Sequence, residues 1–336
     1  MPITSFKTGT KSRSMLIGNE AYIAGHTGVR GLFGGGSAHS GGSLQNSVEY
    51  ITVSTTGNGT DFGDLTLARS QFASCSSNTR GVWAGGQISG GNTDTIDYVT
   101  IANIGNATDF GDLTVSRYTV KGCSSSTRGL FAGGYVSATN TAYALIDYVT
   151  IATTGNATTF GDRTISSYAP SQGSGSSTRA LFAGGTLAVP PYGRVDIIDY
   201  VTIASVGNAT DFGDLTSKGA DAASCSSSTR ALFFGGVNDT SDVYFSKIDY
   251  VTIATTGNAA NFGDMTVGRN GASGAGSLIR AAVAGGGSIV GGVGVNRSTI
   301  EYVTISTLGN GTNFGDMDIG KSGLAGCSNG HGGLAV

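Results

Sequence analysis

The side chains suited to nucleophilic, acid–base or metal chemistry are few. The 336 residues include three histidines, His26, His39 and His331, and four cysteines, Cys75, Cys123, Cys225 and Cys327. A structural zinc site takes about four converging ligands, and only Cys327 and His331 lie close in sequence. A hydrolytic triad needs a nucleophile, a histidine and an acid in fixed relation, and the histidines nominate none; they read as surface residues. The most regular acids are Asp64, Asp112, Asp162, Asp214, Asp264 and Asp316. In turns such as Gly-Asn-Ala-Thr-Asp-Phe-Gly-Asp these carboxylates serve as caps for backbone N–H groups. Calcium, which takes six to eight oxygens, is the sharper alternative. The Asp-Phe-Gly strings at Asp61, Asp109 and Asp211 match a kinase magnesium motif by letters only, with no Gly-rich loop or catalytic loop beside them. No catalytic residue, metal site or cofactor is expected, and the chain reads as a non-enzyme.

The acids recur because the chain does. A block of the form Ile-Asp-Tyr-Val-Thr-Ile-Ala-Thr-Thr-Gly-Asn-Ala-Thr-Asp-Phe-Gly-Asp repeats, with its tyrosine at Tyr50, Tyr98, Tyr148, Tyr200, Tyr250 and Tyr302, spaced by 48 to 52 residues. A second block, Ser-Ser-Thr-Arg-Gly-Leu-Phe-Ala-Gly-Gly, precedes each, with Arg30, Arg80, Arg128, Arg179, Arg230 and Arg280. A period of this length marks an array of one supersecondary unit. Runs of β-branched and aromatic residues cut by Gly, Asn and Ser give four short strands per unit, and no segment keeps a helical period. In the third strand Ile96 and Tyr98 fall on one face and Val99 and Ile101 on the other. Both faces are apolar, so each sheet must be covered on both sides.

Gly85-Gly86 after strand two, Tyr98 in strand three, Phe110 in strand four and the following Arg117 resemble the kelch β-propeller repeat. The resemblance spans about residues 20–336. It departs at strand four, where Phe62, Phe110, Phe160, Phe212, Phe262 and Phe314 stand in place of the usual Trp. It implies an all-β, six-bladed kelch-like propeller with four antiparallel strands per blade. It carries no cofactor, because the Tyr and His copper ligands of kelch-type galactose oxidases have no matching positions.

The inner strands are built from Ser, Ala, Gly and Cys, and all four cysteines share one repeat position. They read as small buried thiols, with a Cys75–Cys123 disulfide as the nearest alternative. After the sixth unit the chain begins another inner strand, Leu324 to Asn329, followed by a degenerate second strand ending at Val336. This C-terminal segment is expected to close the ring on blade one, since closure removes edge strands. The domain reading is an arm over 1–19 and a propeller over 20–336.

Strand three begins with an acid in each unit: Glu49, Asp97, Asp147, Asp199, Asp249 and Glu301. Arg69, Arg117, Lys218, Arg269 and Lys321 lie in the turns between blades, and blade-to-blade ion pairs are expected, worth about 0–1 kcal/mol each if exposed. The loops from Gly-Gly to the acid differ in every copy and should share one face, as in repeat proteins that bind through one side. They hold Tyr135, Tyr143, Tyr192, Tyr244 and Phe245, the candidate binding residues. Such aromatics stack on sugars or anchor a protein partner.

Composition excludes other classes. The net charge of −3 leaves no basic stripe for nucleic acid. Thirteen Tyr and 14 Phe argue against disorder. No apolar run is long enough to insert in a membrane, and the first residues lack a secretory signal. Those residues carry a second resemblance. Residues 4–20, centred on Lys11-Ser12-Arg13-Ser14-Met15-Leu16-Ile17-Gly18-Asn19, resemble the opening segment of tail and fibre proteins of tailed bacteriophages, especially cyanophages. The resemblance implies a virion structural protein, tail or fibre associated and made in the host cytoplasm. Lys11, Arg13, Met15 and Leu16 would then dock on other virion proteins. The variable face would meet a host-surface glycan or receptor in host attachment. The rivals are a capsid decoration protein and a polysaccharide-acting propeller enzyme. The loop carboxylates available to such an enzyme are Asp94, Asp196, Asp239 and Asp242.

Overall fold

The structure, a computed structural model, describes residues 28–38, 42–190, 192–238 and 244–334. The proposed arm with Lys11, Arg13, Met15 and Leu16, together with His26, His39, Pro191, Asp239 and Asp242, lies outside the described residues. Six antiparallel sheets with four principal strands each form a closed ring, a six-bladed β-propeller. Blade three shows the unit. Its strands are Lys121–Ser124, Arg128–Ala132, Leu145–Thr150 and Thr158–Asp162, with Leu130 opposite both Cys123 and Tyr148.

The core lies between blades. Val149 and Ile151 pack against Val82, Ile96 and Phe110 of blade two. Ile146, Tyr148 and Phe160 pack against Phe182, Val201 and Ile203 of blade four. Six such wedges close the circle, so the double-sided apolar pattern of strand three is used in full. Each cysteine fills a wedge, and all four are buried and free.

The C-terminal strand Ala325–Ser328 pairs with Arg30–Gly34 and is the inner strand of blade one. Asn329 then accepts the Arg30 N–H on its side-chain oxygen at 2.8 Å. Ser77, Ser125, Ser176, Ser227 and Ser277 do the same for the next strand in the other blades. The expected second strand after Asn329 does not form. Its place is already taken by Arg30–Gly34, and the chain turns inward as a short 3-10 turn, Gly332–Leu334, buried at the axis. Only glycine fits there: a Cβ on Gly333 would sit 1.9 Å from the Ser124 carbonyl oxygen.

The outer edges are covered as well. Gly155 and Ala157, in the turn between strands three and four of blade three, donate N–H bonds of 2.7 Å to Phe110 and Asp112 on the last strand of blade two. The Asp112 N–H in turn donates to Asn156 Oδ1 at 3.1 Å. The same bonds recur at all six interfaces. This corrects the expected role of the turn aspartates. The asparagine of the following blade caps the aspartate's N–H, and the repeated Gly-Asn turn serves as an edge cover.

The expected inter-blade ion pairs form, and they are buried, not exposed. Arg69–Asp97, Arg117–Asp147 and Arg163–Asp199 lie at 2.9 to 3.1 Å with both side chains fully covered. Lys321–Glu49 at 2.8 Å and the Arg269–Glu301 contact complete the set. Each acid also holds the connection arriving from the preceding blade; Asp147, for example, accepts the Thr114 N–H and hydroxyl. Burial lowers the pKa of Arg69, Arg117 and Arg269, and the partner acid opposes that shift. Lys218 is exposed and is not the fifth partner. Asp249 binds Thr216 and Lys247 instead. Arg163 takes the task for blade four, where Ser167 occupies the usual arginine position.

Candidate functional site

The axis of the ring is filled by its own side chains. On the loop side Gln71, Thr119, Ala169, Asp221, Gly271 and Gly323 line the opening, all with φ between +49° and +66°. Successive N–H···O=C bonds of 2.6 to 3.0 Å run through them, from Thr119 to Gln71 to Gly323 to Gly271 to Asp221 to Ala169. Lys121 reaches across to Asp221 at 2.9 Å. Below this, Gln172 spans the channel. Its amide donates to the Gly274 and Gly326 carbonyls and accepts from the Gly274 N–H at 2.7 Å. A cavity of about 50 Å³ remains, lined by serines, glycines, cysteines and Gln172, with room for a few waters.

His331 closes the far end. Its Nε2 lies 3.3 Å from the Ser76 carbonyl, and its Nδ1 accepts the Gly333 N–H at 3.1 Å. This pattern suits the neutral ring, and burial pulls its pKa down to about 4. His331 is therefore a plug inside the ring and not the surface residue expected. Burial likewise raises the thiols of Cys123, Cys225 and Cys327 to about 12. Such thiols are neutral packing groups, without the low pKa of a nucleophile. Among the described residues no group of three or more His, Cys, Asp or Glu side chains converges.

The loop face offers more. Each variable loop is anchored at its base by the same bonds: Tyr135 pairs with Tyr118 of the preceding connection, and Tyr143 donates its N–H to Gly134. The tips then diverge. In blade three the loop carries a 3-10 turn, Ser137–Thr139, ended by Asn140 in the left-handed region. The ring of Tyr135 meets Tyr118 edge-on at 5.6 Å and Tyr168 at 5.2 Å. Its hydroxyl donates to the Asn140 side chain. Ser137 donates to Asn92 of the neighbouring blade at 3.3 Å. The result is a half-buried cluster of three tyrosines, from one loop and two connections, edged by amide and hydroxyl groups. Burial and the adjoining phenols raise the pKa of Tyr118, so its phenol is uncharged at neutral pH.

The five expected aromatics are dispersed. Tyr135 is central to the cluster, and Tyr143 is half-buried on the same loop. Tyr192 in the blade-four loop is 73% exposed, near Val189. Tyr244 bridges Val237 at the base of its own loop. Phe245 is half-buried, with the Lys247 ammonium 5.0 Å from its ring centre. Phe245 also occupies the same anchored position as Gln45, Thr93, Tyr143, Val195 and Arg297. It therefore has a positional counterpart in every copy, although the loops differ in sequence. Tyr118 and Tyr168 were missed because they lie in connections. Aligned across the repeats, they are two adjacent aromatics in a column otherwise filled by Ser70, Ala220, Asn270 and Ser322. The carboxylates Asp94 and Asp196 stay apart, in blades two and four. No family model and no curated protein matches the chain.

Proposed function

We propose that this propeller is a non-enzymatic binding module, a kelch-like virion component of a tailed phage. Its N-terminal segment would attach it to other virion proteins, and its variable face would meet a host-surface glycan. The observation that carries the binding reading is the Tyr118–Tyr135–Tyr168 cluster. Aromatic faces beside Asn92, Asn140 and Ser137 match a neutral saccharide, which offers C–H surfaces for stacking and hydroxyls for hydrogen bonding. Tyrosines bring large contact area at low entropic cost. The filled axis supports binding over catalysis, because the opening where a channel enzyme would seat its substrate is spanned by Lys121, Asp221 and Gln172. The phage assignment rests on the Lys11–Asn19 resemblance alone.

The test is binding of the labelled full chain to host cells and to polysaccharide isolated from their envelope. Replacing Tyr118, Tyr135 and Tyr168 together by Ala should weaken binding at least about thirtyfold, the loss expected at a true anchor. Unchanged binding by a variant that still melts cooperatively would remove the cluster as the site. Absence of the chain from purified phage particles by mass spectrometry would overturn the virion reading separately.

A further inference from the structure

The face opposite the variable loops carries a pattern of its own. It is formed by the six turns between strands three and four, which are alike in length and bonding. Their tips are uncharged, running Ser-Thr-Thr-Gly-Asn from Ser54 to Asn58 and Ala-Asn-Ile-Gly-Asn from Ala102 to Asn106. One column breaks the six-fold likeness. Ahead of the turn glycine stand Thr56, Ile104, Thr154, Val206, Thr256 and Leu308. Blades one, three and five thus present threonine, while blades two, four and six present an aliphatic residue.

Ile104, Val206 and Leu308 are 59%, 58% and 59% exposed. Their side chains pack into none of the six core wedges. A single exposed aliphatic residue needs no explanation. Three of them, equally exposed and on every second blade of a closed ring, form a triangle about the axis. Among the described residues, Ile279, in a neighbouring turn of blade six, is the other large apolar residue exposed on this face.

The chain ends point the same way. Gly28, where the described chain enters the ring, lies against Thr52 and Ser54 of the blade-one turn. The described chain thus enters the ring at this face, and the C-terminal plug leaves its last strand here too, next to Asn329. The variable loops leave from the other side. This face is thus the one by which the ring would be held.

We propose that this face docks end-on against a homotrimeric protein whose three-fold axis coincides with the axis of the ring. Three equivalent, uncharged pockets of the trimer would take Ile104, Val206 and Leu308. A closed trimer repeats each surface pocket three times about its axis, which is the symmetry of the triangle and not that of the six blades. The inference is independent of what the variable face binds.

The experiment uses the full chain in the cells in which it is naturally made. Ile104, Val206 or Leu308 is replaced, one at a time, by a photoreactive phenylalanine analogue, and Thr56, Thr154 and Thr256 serve as the comparison set. After irradiation, cross-linked peptides are identified by mass spectrometry. The expected result is one and the same partner peptide from all three aliphatic positions, and a different peptide or none from the threonine positions. Three unrelated peptides, a cross-link to this chain or to a second copy of it, no cross-link, or the same peptide from all six positions would each overturn the proposal. As a second measurement, the triple variant I104T/V206T/L308T should melt within about 2 °C of the parent, since it changes only exposed tips. It should no longer co-purify the protein found by cross-linking; retained co-purification overturns the proposal as well.

Discussion

The two faces of the ring are made from the same kinds of connection, yet they tolerate change very differently. On the face carrying the turns between strands three and four, every blade repeats one arrangement. Six arginines stack on six strand-three tyrosines at 4.5 to 4.9 Å and donate to carbonyls just past strand three of the next blade. Each tyrosine in turn meets a phenylalanine edge-on at 5.8 to 6.1 Å. Each turn is bonded to its neighbour through its glycine, its asparagine and the residue that follows, so those positions have a partner to lose. On the loop face the bases are held alike in every blade, while the bonds beyond them differ from blade to blade. The buried acid beneath each base is kept in all six blades even where its partner shifts from Arg117 to Arg163 or Lys321. Sequence variation begins where the bonds shared by all six blades stop.

The strongest way to break this contrast is to remove a buried acid under a variable loop. Asp147→Ala leaves the Arg117 guanidinium buried without its counter-charge and strips Thr114 of its acceptor. The expected loss is about 3–5 kcal/mol, as for one partner of a buried pair. Arg128→Ala, on the opposite face, removes a partly exposed stack on Tyr148 and one bond to Ile203. It should cost about 1–2 kcal/mol. Urea unfolding of both variants measures the difference, and the double change R117M/D147L should recover much of the larger loss by taking both charges out. Equal, small effects would show that the acids do not hold the loop bases.

The plug gives the next largest effect, and it is set by pH. His331 takes up a proton near 6.5 when unfolded but only near 4 in the ring. Between those values the unfolded chain binds more protons, so stability is full above pH 6.5 and falls as pH drops toward 4. The shift corresponds to roughly 3 kcal/mol. His331→Gln should remove most of this acid slope while leaving the other blades unchanged. A slope that persists in the variant would place the acid sensitivity elsewhere and leave the plug without a part in it.

How much of this could be read from the chain follows the same contrast. The six units, the strand order and the closure on blade one were legible, because Tyr98, Gly85-Gly86 and the inner-strand Cys75 recur in step and both faces of strand three are apolar. The burial of Asp147 with Arg117 was not, since a charge column looks the same on paper whether water or the next blade covers it. The direction of the Asn156 cap was likewise hidden, because the bond joins different blades. His331 falls outside the repeat, so no column gave it a place. At the loop face Tyr135 was found as a loop aromatic, while Tyr118 and Tyr168 were not. Their meeting depends on how two connections flank one loop, and no local spacing encodes that.

The finest test compares single residues at the two rims. Asn156→Ala deletes the side-chain acceptor for the Asp112 N–H while keeping the turn's two backbone bonds to blade two. The bond lies near water, so the freed N–H is partly resolvated, and the loss should be about 1 kcal/mol. Tyr192→Ala removes a far larger side chain, but one that is 73% exposed at a loop tip and bonded to nothing that repeats. Its expected cost is below about 0.5 kcal/mol. Thermal melts of the two variants should therefore rank the small substitution on the turn face as the more damaging. The reverse order would mean that the Tyr192 tip is packed into the ring and that the loop face is as constrained as the other. In that case the divergence of its loops could not be attributed to freedom from structural bonds, and each tip would need a packing role of its own.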